Sequence, residues 1–316
     1  MHDALMSTAS TLHPLAYSKI PISVANHKID NPEWSVKTIQ CAHSQLLDWI
    51  NIYNLKWYVL SGNPNAGHIF EDNLDKLTWS KVSANPSAIS VIEANMDKIE
   101  WDYLSMNPNA IHLLQANLDK VDWLAVLANP EAVILIKQNI DRIDIDVMAM
   151  YYISLNPRMC EILLSVPKIM QYFRENVRLM DWNAICSNEG AMSVIKEYPE
   201  YTNWSALSAN PSAIKLLEEN EDNIDWKQLC SNPKAIHLLE KNVDKIDWET
   251  LVSNPKATQL VEANLHQLDD YCWSVLSRNP EALHIMEENQ ENIDWFLLSD
   301  NPSIFSYDSS YNIVLK

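Results

Sequence analysis

Glycine is scarce in this chain: the 316 residues include only three, at Gly62, Gly67 and Gly190. Loops that cradle phosphate groups need clustered glycines, because their backbone amides must approach the ligand closely. The sequence contains no such loop, and it also lacks the G-x-S-x-G and H-E-x-x-H motifs of hydrolases and metalloproteases. We therefore predict that the protein is not an enzyme and that it binds no cofactor.

Basic residues are also in short supply. The chain has 23 lysines and arginines against 42 aspartates and glutamates, which gives a net charge of −19 and a pI near 4.7. This charge repels nucleic acid and anionic lipid, and it favours a protein partner with basic patches. No apolar run reaches the roughly 18 residues of a membrane span, and the first residues lack the basic and apolar regions of a signal peptide. The sequence thus predicts an intracellular, cytoplasmic protein with no nucleic-acid or membrane partner, and it leaves the oligomeric state open.

The cysteines do not form a recognisable framework. There are five, an odd number, and no two form a C-x-x-C pair: Cys41, Cys160, Cys186, Cys230 and Cys272. Such spacing is typical of proteins in a reducing compartment.

Tryptophan, by contrast, recurs at a fixed interval of 22 residues through most of the chain. With tryptophan as position 1, the unit reads W-x-x-L-S-x-N-P-x-A-I-x-L-L-E-x-N-x-D-K-I-D. A sequence period of this length indicates a stack of small structural units. The tryptophans, which we predict to form the structural core of the repeats, are Trp57, Trp79, Trp101, Trp123, Trp182, Trp204, Trp226, Trp248, Trp273 and Trp295.

Each unit carries the signals of two short helices. Position 22, directly before the tryptophan, is an N-cap residue in most copies and can accept a free amide of the first helix, helix A. Helix A ends at Asn-Pro, because a residue before proline is pushed out of the α region. The same dipeptide begins helix B, with Asn210 as N-cap and Pro211 at the first helical position in one copy. The expected N-caps of helix A include Asp122, Asp144, Asp225, Asp247 and Asp294.

The helices are too short to bury their apolar faces alone, but stacked copies can do so. Leucine at position 4 and apolar residues at positions 10, 11, 14 and 18 supply the buried faces. The sequence therefore predicts an all-α solenoid of about eleven 22-residue two-helix repeats, with the indoles buried between neighbours. A β-containing leucine-rich repeat is the alternative, since 22 residues lies within its range, but residues 224–232 lack its strand alternation.

The period fails between Ile145 and Trp182, where the stretch after Asn156 is too long for one unit. An extended helix B, or one kinked near Pro167, would account for the excess. We expect the solenoid to be bent or interrupted near residues 145–200. The predicted parts of the chain are a non-repeat segment at 1–43, an N-terminal cap and repeat stack at 44–144, an irregular repeat at 145–181, and a C-terminal repeat stack and cap at 182–316.

Two rows of residues could be taken for reactive sites. Histidine occupies position 12 in four copies, yet the nearest pair, His68 and His112, is two repeats apart, roughly 20 Å if each repeat adds one helix-pair layer. That distance is too large for one metal ion. The acidic residues at positions 15, 19 and 22 lack the glycine and the twelve-residue ligand spacing of a calcium loop. We expect no metal site in either row.

Positions 2, 3 and 6 of helix A and 9, 12 and 16 of helix B differ freely between copies. Variable residues on a constant scaffold form the binding surfaces of solenoids. The helix-A row is less charged than the outer row of helix B, and its large members are candidate anchors for a partner. Ordinary packing between neighbouring helices A is the other interpretation. The candidate partner-binding residues are Tyr58, Tyr103, Leu124, Gln228, Val275 and Phe296.

The unit S-x-N-P-x-A-I-x-L-L-E-x-N-x-D-K-I-D-W resembles tandem-repeat proteins that nucleocytoplasmic large (giant) DNA viruses encode in large numbers. The resemblance covers roughly residues 45–316. It implies a viral interaction protein, either host-directed or associated with the virion, and it supplies no catalytic residues. The irregular unit at 145–181 departs from the family pattern, in line with the bend or interruption expected there.

From these observations we expect a non-enzymatic repeat scaffold that binds a protein partner through its variable helix faces. Two alternatives stay open at this stage. One is a structural component of a virion or another assembly, and the other is an acidic mimic of DNA.

Overall fold

A computed structural model describes residues 44–307; the predicted segment at 1–43, Cys41 and the end of the predicted C-terminal cap lie outside these residues. Residues 44–306 form one compact unit. This unit is built of tandem short helices, which confirms the predicted all-α solenoid. Its α-helices span Trp57–Leu60, Trp79–Ala84, Ile89–Ala94, Trp101–Met106, Ile111–Ala116, Val133–Gln138, Val147–Leu155, Met159–Ser165, Pro167–Glu175, Trp182–Ser187, Met192–Glu197, Trp204–Ala209, Ile214–Glu218, Trp226–Leu229, Ile236–Leu239, Trp248–Leu251, Thr258–Glu262, Asp270–Ser277, Leu283–Glu288 and Trp295–Leu298.

Short 3₁₀ turns join these helices, and two three-residue strands lie at the ends of the described residues. The strands are Ser44–Leu46 and Phe305–Tyr307, and they pair in a two-stranded sheet. The 3₁₀ turns span Ile52–Asn54, Gly67–Ile69, Glu71–Lys76, Pro86–Ala88, Pro108–Ala110, Ala125–Ala128, Ile140–Arg142, Val177–Leu179, Glu189–Ala191, Pro199–Tyr201, Pro211–Ala213, Glu221–Asn223, Val243–Lys245, Leu265–Gln267, Gln290–Asn292 and Pro302–Ile304.

The repeat that begins at Trp204 shows how the sequence produces the helix pair. The side chain of Asn203 accepts the amide of Ala206 and so caps helix A, Trp204–Ala209. Asn210 is extended, with φ −79° and ψ 116°, as a residue before proline should be. Its side chain accepts the amide of Ser212 at 2.8 Å and starts the second helix through the 3₁₀ turn Pro211–Ala213. The predicted role of Asn-Pro as both stop and start is confirmed.

The asparagine at position 7 does more than cap helix B, because its buried amide group ties each repeat to the preceding one. Asn107 donates to the carbonyls of Ser83 and Asn85, both at 3.0 Å. Its side-chain oxygen accepts the amide of Asn109 at 3.0 Å. We number the repeats 1–11 by the asparagines of this ladder, which are Asn63, Asn85, Asn107, Asn129, Asn156, Asn188, Asn210, Asn232, Asn254, Asn279 and Asn301.

The asparagine ladder closes on itself. Asn63 of repeat 1 donates to the carbonyls of Ser299 at 3.1 Å and Asn301 at 2.9 Å in repeat 11, the same pair of bonds that joins consecutive repeats elsewhere. The amide of Lys56 donates to Ser299 Oγ at 2.8 Å, which again repeats a bond found between covalent neighbours. Repeat 11 therefore precedes repeat 1 in space just as repeat 1 precedes repeat 2. The eleven repeats form a ring.

The short sheet fastens this closure. The amide of Leu47 donates to the carbonyl of Ile304 at 2.9 Å, and the strands Ser44–Leu46 and Phe305–Tyr307 continue from that bond. The same segments belong to the regions in which the sequence predicts an N-terminal and a C-terminal cap. In the structure the two ends of the described repeats meet and cover one another. The 22-residue period predicts which faces stack, but it does not reveal the small rotation per repeat that brings repeat 11 back to repeat 1.

The core lies between helix A and helix B of each repeat and its neighbours. In repeat 3, Leu104, Ala110 and Leu114 at positions 4, 10 and 14 are fully buried, as the apolar pattern predicts. Serine at position 5 is also buried: Ser105 Oγ donates to the carbonyl of Trp101 and accepts the amide of Asp122. This hydroxyl is a second hydrogen-bonded link between successive repeats.

The irregular repeat keeps the asparagine ladder. Its helix A, Val147–Leu155, begins two residues later than the period predicts, because Asp146 caps it by accepting the amide of Ala149 at 2.8 Å. The expected cap Asp144 is therefore wrong. After Met159–Ser165 the chain turns at Val166 and continues as the helix Pro167–Glu175, which confirms the kink near Pro167.

Asparagine at position 17 does not act as a glycine substitute. In the described residues no non-glycine residue has a positive φ, and Asn220 has φ −139°. Its amide instead donates to the carbonyl of Leu216, four residues earlier, at 2.9 Å. This side-chain bond satisfies a carbonyl at the end of helix B, so the helix ends without a left-handed residue.

Candidate functional site

The variable positions of helix A form the candidate binding face, which we call the helix-A face: positions 2 and 3 of each repeat. Its two most exposed apolar residues are Tyr58, 57% exposed, and Phe296, 49% exposed. Both stand at position 2, in repeats 1 and 11, which are distant in sequence but consecutive in the ring. Ring closure thus places two of the predicted anchors on neighbouring helices.

The other four predicted anchors are half-buried. Leu124 and Val275 pack against the core, and burial raises the pKa of Tyr103, as do the charges of Asp102 and Glu100 to a smaller extent. Gln228 is half-buried as well, and its backbone amide donates to Asp225 Oδ1 at 3.2 Å. For these residues the structure agrees with ordinary packing between neighbouring helices A, the alternative that the sequence left open.

Two exposed aromatic residues were missed by the sequence analysis. Tyr53 is 89% exposed in the lead-in to repeat 1, and Tyr271 is 60% exposed at the start of helix A in repeat 10. Both lie outside the 22-residue unit, since Tyr271 belongs to a three-residue insertion before Trp273. A comparison of equivalent positions between copies cannot flag residues that have no equivalent.

The tryptophans are half-buried rather than hidden between repeats. Each packs one side against the core and leaves the rest accessible. Where position 20 is basic, its side chain covers the exposed ring: Lys245 Nζ lies 4.1 Å from the Trp226 ring centre. The same cation–π pairing occurs for Lys76 on Trp57, Lys98 on Trp79, Lys120 on Trp101 and Arg142 on Trp123. The expectation of fully buried indoles is therefore corrected: all ten are half-buried, and in these five repeats a cation covers the outer part of the ring.

Removing one such cation should have a small, specific effect on stability. Lys120→Met keeps the alkyl stem but loses the charge over Trp101, and we expect a loss of about 0.5–1 kcal/mol in the free energy of unfolding. Urea titration followed by circular dichroism measures this loss. Lys215→Met is the matched control, because Lys215 is 87% exposed and its ion-pair partner Glu219 lies 4.0 Å away. Equal losses in both variants would contradict a ring-specific effect.

A shallow groove of about 430 Å³ opens between helices A of repeats 10 and 11. It is lined by the two indoles of Trp273 and Trp295 and by three carboxylates, those of Asp270, Glu291 and Asp294. Asp294 also caps the helix that carries Phe296, whose amide donates to Asp294 Oδ1 at 2.9 Å. The groove thus lies beside the start of the helix that carries Phe296, and its lining is strongly acidic.

The histidine row lies on helix B and pairs between repeats. His112 Nε2 lies 2.9 Å from Glu93, His237 Nε2 lies 2.8 Å from Glu218, and His284 Nε2 lies 3.7 Å from Glu262. Each glutamate occupies position 15 of the repeat before its histidine. Within residues 44–307, no group of three or more histidine, cysteine or carboxylate side chains is arranged to hold a metal ion.

Buried thiols of the repeats take the place of serine or fill the core. Burial raises the pKa of Cys186 and Cys230, whose sulfur atoms accept the amides of Asn203 and Asp247 as serine does in other copies. Burial also raises the pKa of Cys272 to about 11. A thiol needs a lowered pKa to act as a nucleophile at neutral pH. These three cysteines therefore serve packing and hydrogen bonding.

In contrast to the buried thiols, two carboxylates that cap helix A, those of Asp247 and Asp269, have a lowered pKa. Burial alone would raise the pKa of Asp247, but hydrogen bonds from Thr250 and the ammonium of Lys227 lower it below its ordinary value. Hydrogen bonds from the Cys272 backbone amide and side chain likewise lower the pKa of Asp269. These residues are charged at neutral pH and hold the first turn of helix A, which fixes the direction of the variable side chains at positions 2 and 3.

The fold and the candidate face together define an acidic, closed ring of two-helix repeats with a variable helix-A face. None of the α-helices within residues 44–307 has the length and hydropathy needed to cross a bilayer. Comparison with protein-family profiles, with curated proteins and with solved structures yields no match to this chain.

Proposed function

We propose that the protein is a non-enzymatic repeat scaffold that binds a protein partner through the helix-A face at the junction of repeats 11 and 1. The observation that carries this proposal is the exposure of Tyr58 and Phe296 on consecutive helices of the ring. Tyrosine and phenylalanine supply a large contact area at low entropic cost, and exposed aromatic pairs are typical anchors of protein interfaces. The net charge of −19 favours a partner with a basic surface.

The closed ladder supports this role in a second way. The side-chain amides of all eleven ladder asparagines are bonded within the ring, and no buried side-chain nitrogen or oxygen within residues 44–307 lacks a hydrogen-bond partner. A scaffold that satisfies its own polar groups can vary positions 2 and 3 without loss of the fold. Closure also counts against a spacer that grows by end-to-end stacking of repeats, because the two ends of the ladder are already paired with each other.

The proposal has a direct test in affinity purification from the native cell with the full-length chain. A Tyr58→Ser, Phe296→Ser double variant should lose the specific partner by about tenfold or more, since an interface hot spot contributes roughly 2 kcal/mol. The matched control is Ile134→Ser with Leu164→Ser, which removes side chains 66% and 78% exposed at other places on the ring.

Circular dichroism should show that both double variants keep the wild-type fold. A partner that is retained by the Tyr58/Phe296 variant and lost by the Ile134/Leu164 control would place the interface elsewhere and contradict the proposal. In line with the resemblance to giant-virus repeat proteins, we propose that the partner is either a host protein or a virion component. Mass spectrometry of purified particles distinguishes these two sources.

A further inference from the structure

The cation–π pairs identify the chemical group that fits an indole of this ring. In repeats 1, 2, 3 and 8 a lysine at position 20 of the same repeat places its ammonium 4.1–5.1 Å from the ring centre. In repeat 4 the guanidinium of Arg142 lies farther away, at 5.7 Å. An ammonium above an indole is attracted by the negative face of the ring. In these repeats a lysine side chain of the protein itself thus occupies the face of the indole, as a lysine of a partner could in a repeat that lacks it.

Repeats 7, 9 and 10 lack this cation, because position 20 is Asn223, Gln267 and Asn292 in these repeats. In repeat 10 the neutral Asn292 lines the groove beside Trp273. In repeat 6 the corresponding residue, Tyr201, stacks on Trp182 at 4.9 Å with an interplanar angle of 14°, so that indole is already covered. The face of Trp273 opens instead into the groove between repeats 10 and 11.

The groove also carries more negative charge than an ordinary repeat junction provides. The three-residue insertion before Trp273 starts helix A earlier, at Asp270, and so adds a carboxylate one turn before the indole. Glu291 and Asp294 line the same groove, and Asp294 Oδ2 accepts a hydrogen bond from Ser274 at 2.7 Å. None of the three carboxylates forms an ion pair with a basic side chain among residues 44–307.

We propose that this groove is a binding site for a lysine side chain from a basic segment of the protein partner. The ammonium lies over Trp273, as the lysine of position 20 does in other repeats, and Asp270, Glu291 and Asp294 supply the compensating charge. The alkyl stem of the lysine packs along the indole of Trp295. This inference rests on the proposed function, because the groove adjoins Phe296 and takes the partner's basic segment.

A single substitution can block the proposed site with a residue that other repeats already have at the same position. Asn292→Lys restores the residue that four other repeats carry at position 20, so we expect the variant to fold and its own ammonium to occupy the face of Trp273. The probe is a fluorescein-labelled hexalysine peptide, and its affinity for the full-length protein is measured by fluorescence anisotropy at physiological salt. We expect wild-type protein to bind and Asn292→Lys to bind at least about fivefold more weakly.

The matched control is Gln115→Lys, which adds the same charge at an exposed position of helix B in repeat 3. It should stay within about twofold of wild type, because long-range attraction is screened at this salt concentration. The same peptide with every lysine acetylated should not bind. Equal losses for Asn292→Lys and Gln115→Lys would show general electrostatic attraction only, and no binding to wild type would also overturn the inference.

The outcome for the lysine site can be separated from that for the proposed scaffold function. If the cellular partner is lost in the Tyr58/Phe296 variant but retained by Asn292→Lys, the helix-A face is an interface and the lysine site is wrong. If both variants retain the partner, the proposed function itself fails.

Discussion

Asn210→Ala should lower the free energy of unfolding by about 3–5 kcal/mol, because it removes three hydrogen bonds, two of which are buried. The apolar pattern of the sequence does not predict this effect, since the side chain of Asn210 is polar. The amide of Asn210 donates to the carbonyls of Cys186 at 2.8 Å and Asn188 at 3.0 Å, and its oxygen accepts the amide of Ser212 at 2.8 Å. Alanine leaves two buried carbonyls without these donors and removes an N-cap. Urea unfolding followed by circular dichroism measures the loss.

Two further variants make this prediction specific. Asn210→Asp keeps the cap acceptor but places a charged carboxylate against two carbonyl oxygens, so at neutral pH it should cost at least as much as alanine. Asn220→Ala is the matched control, because Asn220 makes one bond within its own repeat, to the carbonyl of Leu216, and its loss should cost about 1 kcal/mol. The ladder is not the main tie between repeats if Asn210→Ala and Asn220→Ala have the same effect.

Gly190→Ala should destabilise the protein by about 2–3 kcal/mol through a steric clash. A Cβ atom at this position would overlap the carbonyl oxygen of Pro157 in the preceding repeat. The backbone φ of Gly190 is not positive, so the effect comes from close approach and not from a conformation that only glycine can adopt. At the same junction of repeats 5 and 6, the ladder bond from Asn188 to Ser154 O is only 2.6 Å long.

Gly62→Ala provides the control for this clash. A Cβ atom at Gly62 would lie 3.5 Å from the Lys81 side chain and 3.5 Å from the carbonyl oxygen of Val59, and both are ordinary van der Waals contacts. Its free energy of unfolding should change by no more than about 0.5 kcal/mol. Thermal and urea unfolding of both variants gives the comparison, and a wild-type stability for Gly190→Ala would show that the two repeats can move apart without cost.

Much of each repeat could be predicted from the sequence because its signals are local. Asn210 before Pro211 must be extended, and proline at the first helical position starts the next helix, whatever the neighbouring repeat does. Leu104, Ala110 and Leu114 follow helical spacing, so their burial follows from the need to cover one face. The candidate site was harder to predict, since Tyr58 and Phe296 stand at the same position of the unit as the half-buried Leu124.

The helix pair, its length and its apolar faces follow from the amino-acid sequence, because these features depend on contacts within a few residues. The closure of the eleven repeats into a ring is visible only in the tertiary structure, where the asparagine ladder runs from Asn301 back to Asn63. This closure makes the repeats of Tyr58 and Phe296 neighbours. Closure depends on the total of small rotations between successive repeats, and the sequence of one repeat does not specify this total. The groove at Trp273 arises in the same way, from an insertion whose effect appears only when repeats 10 and 11 pack side by side.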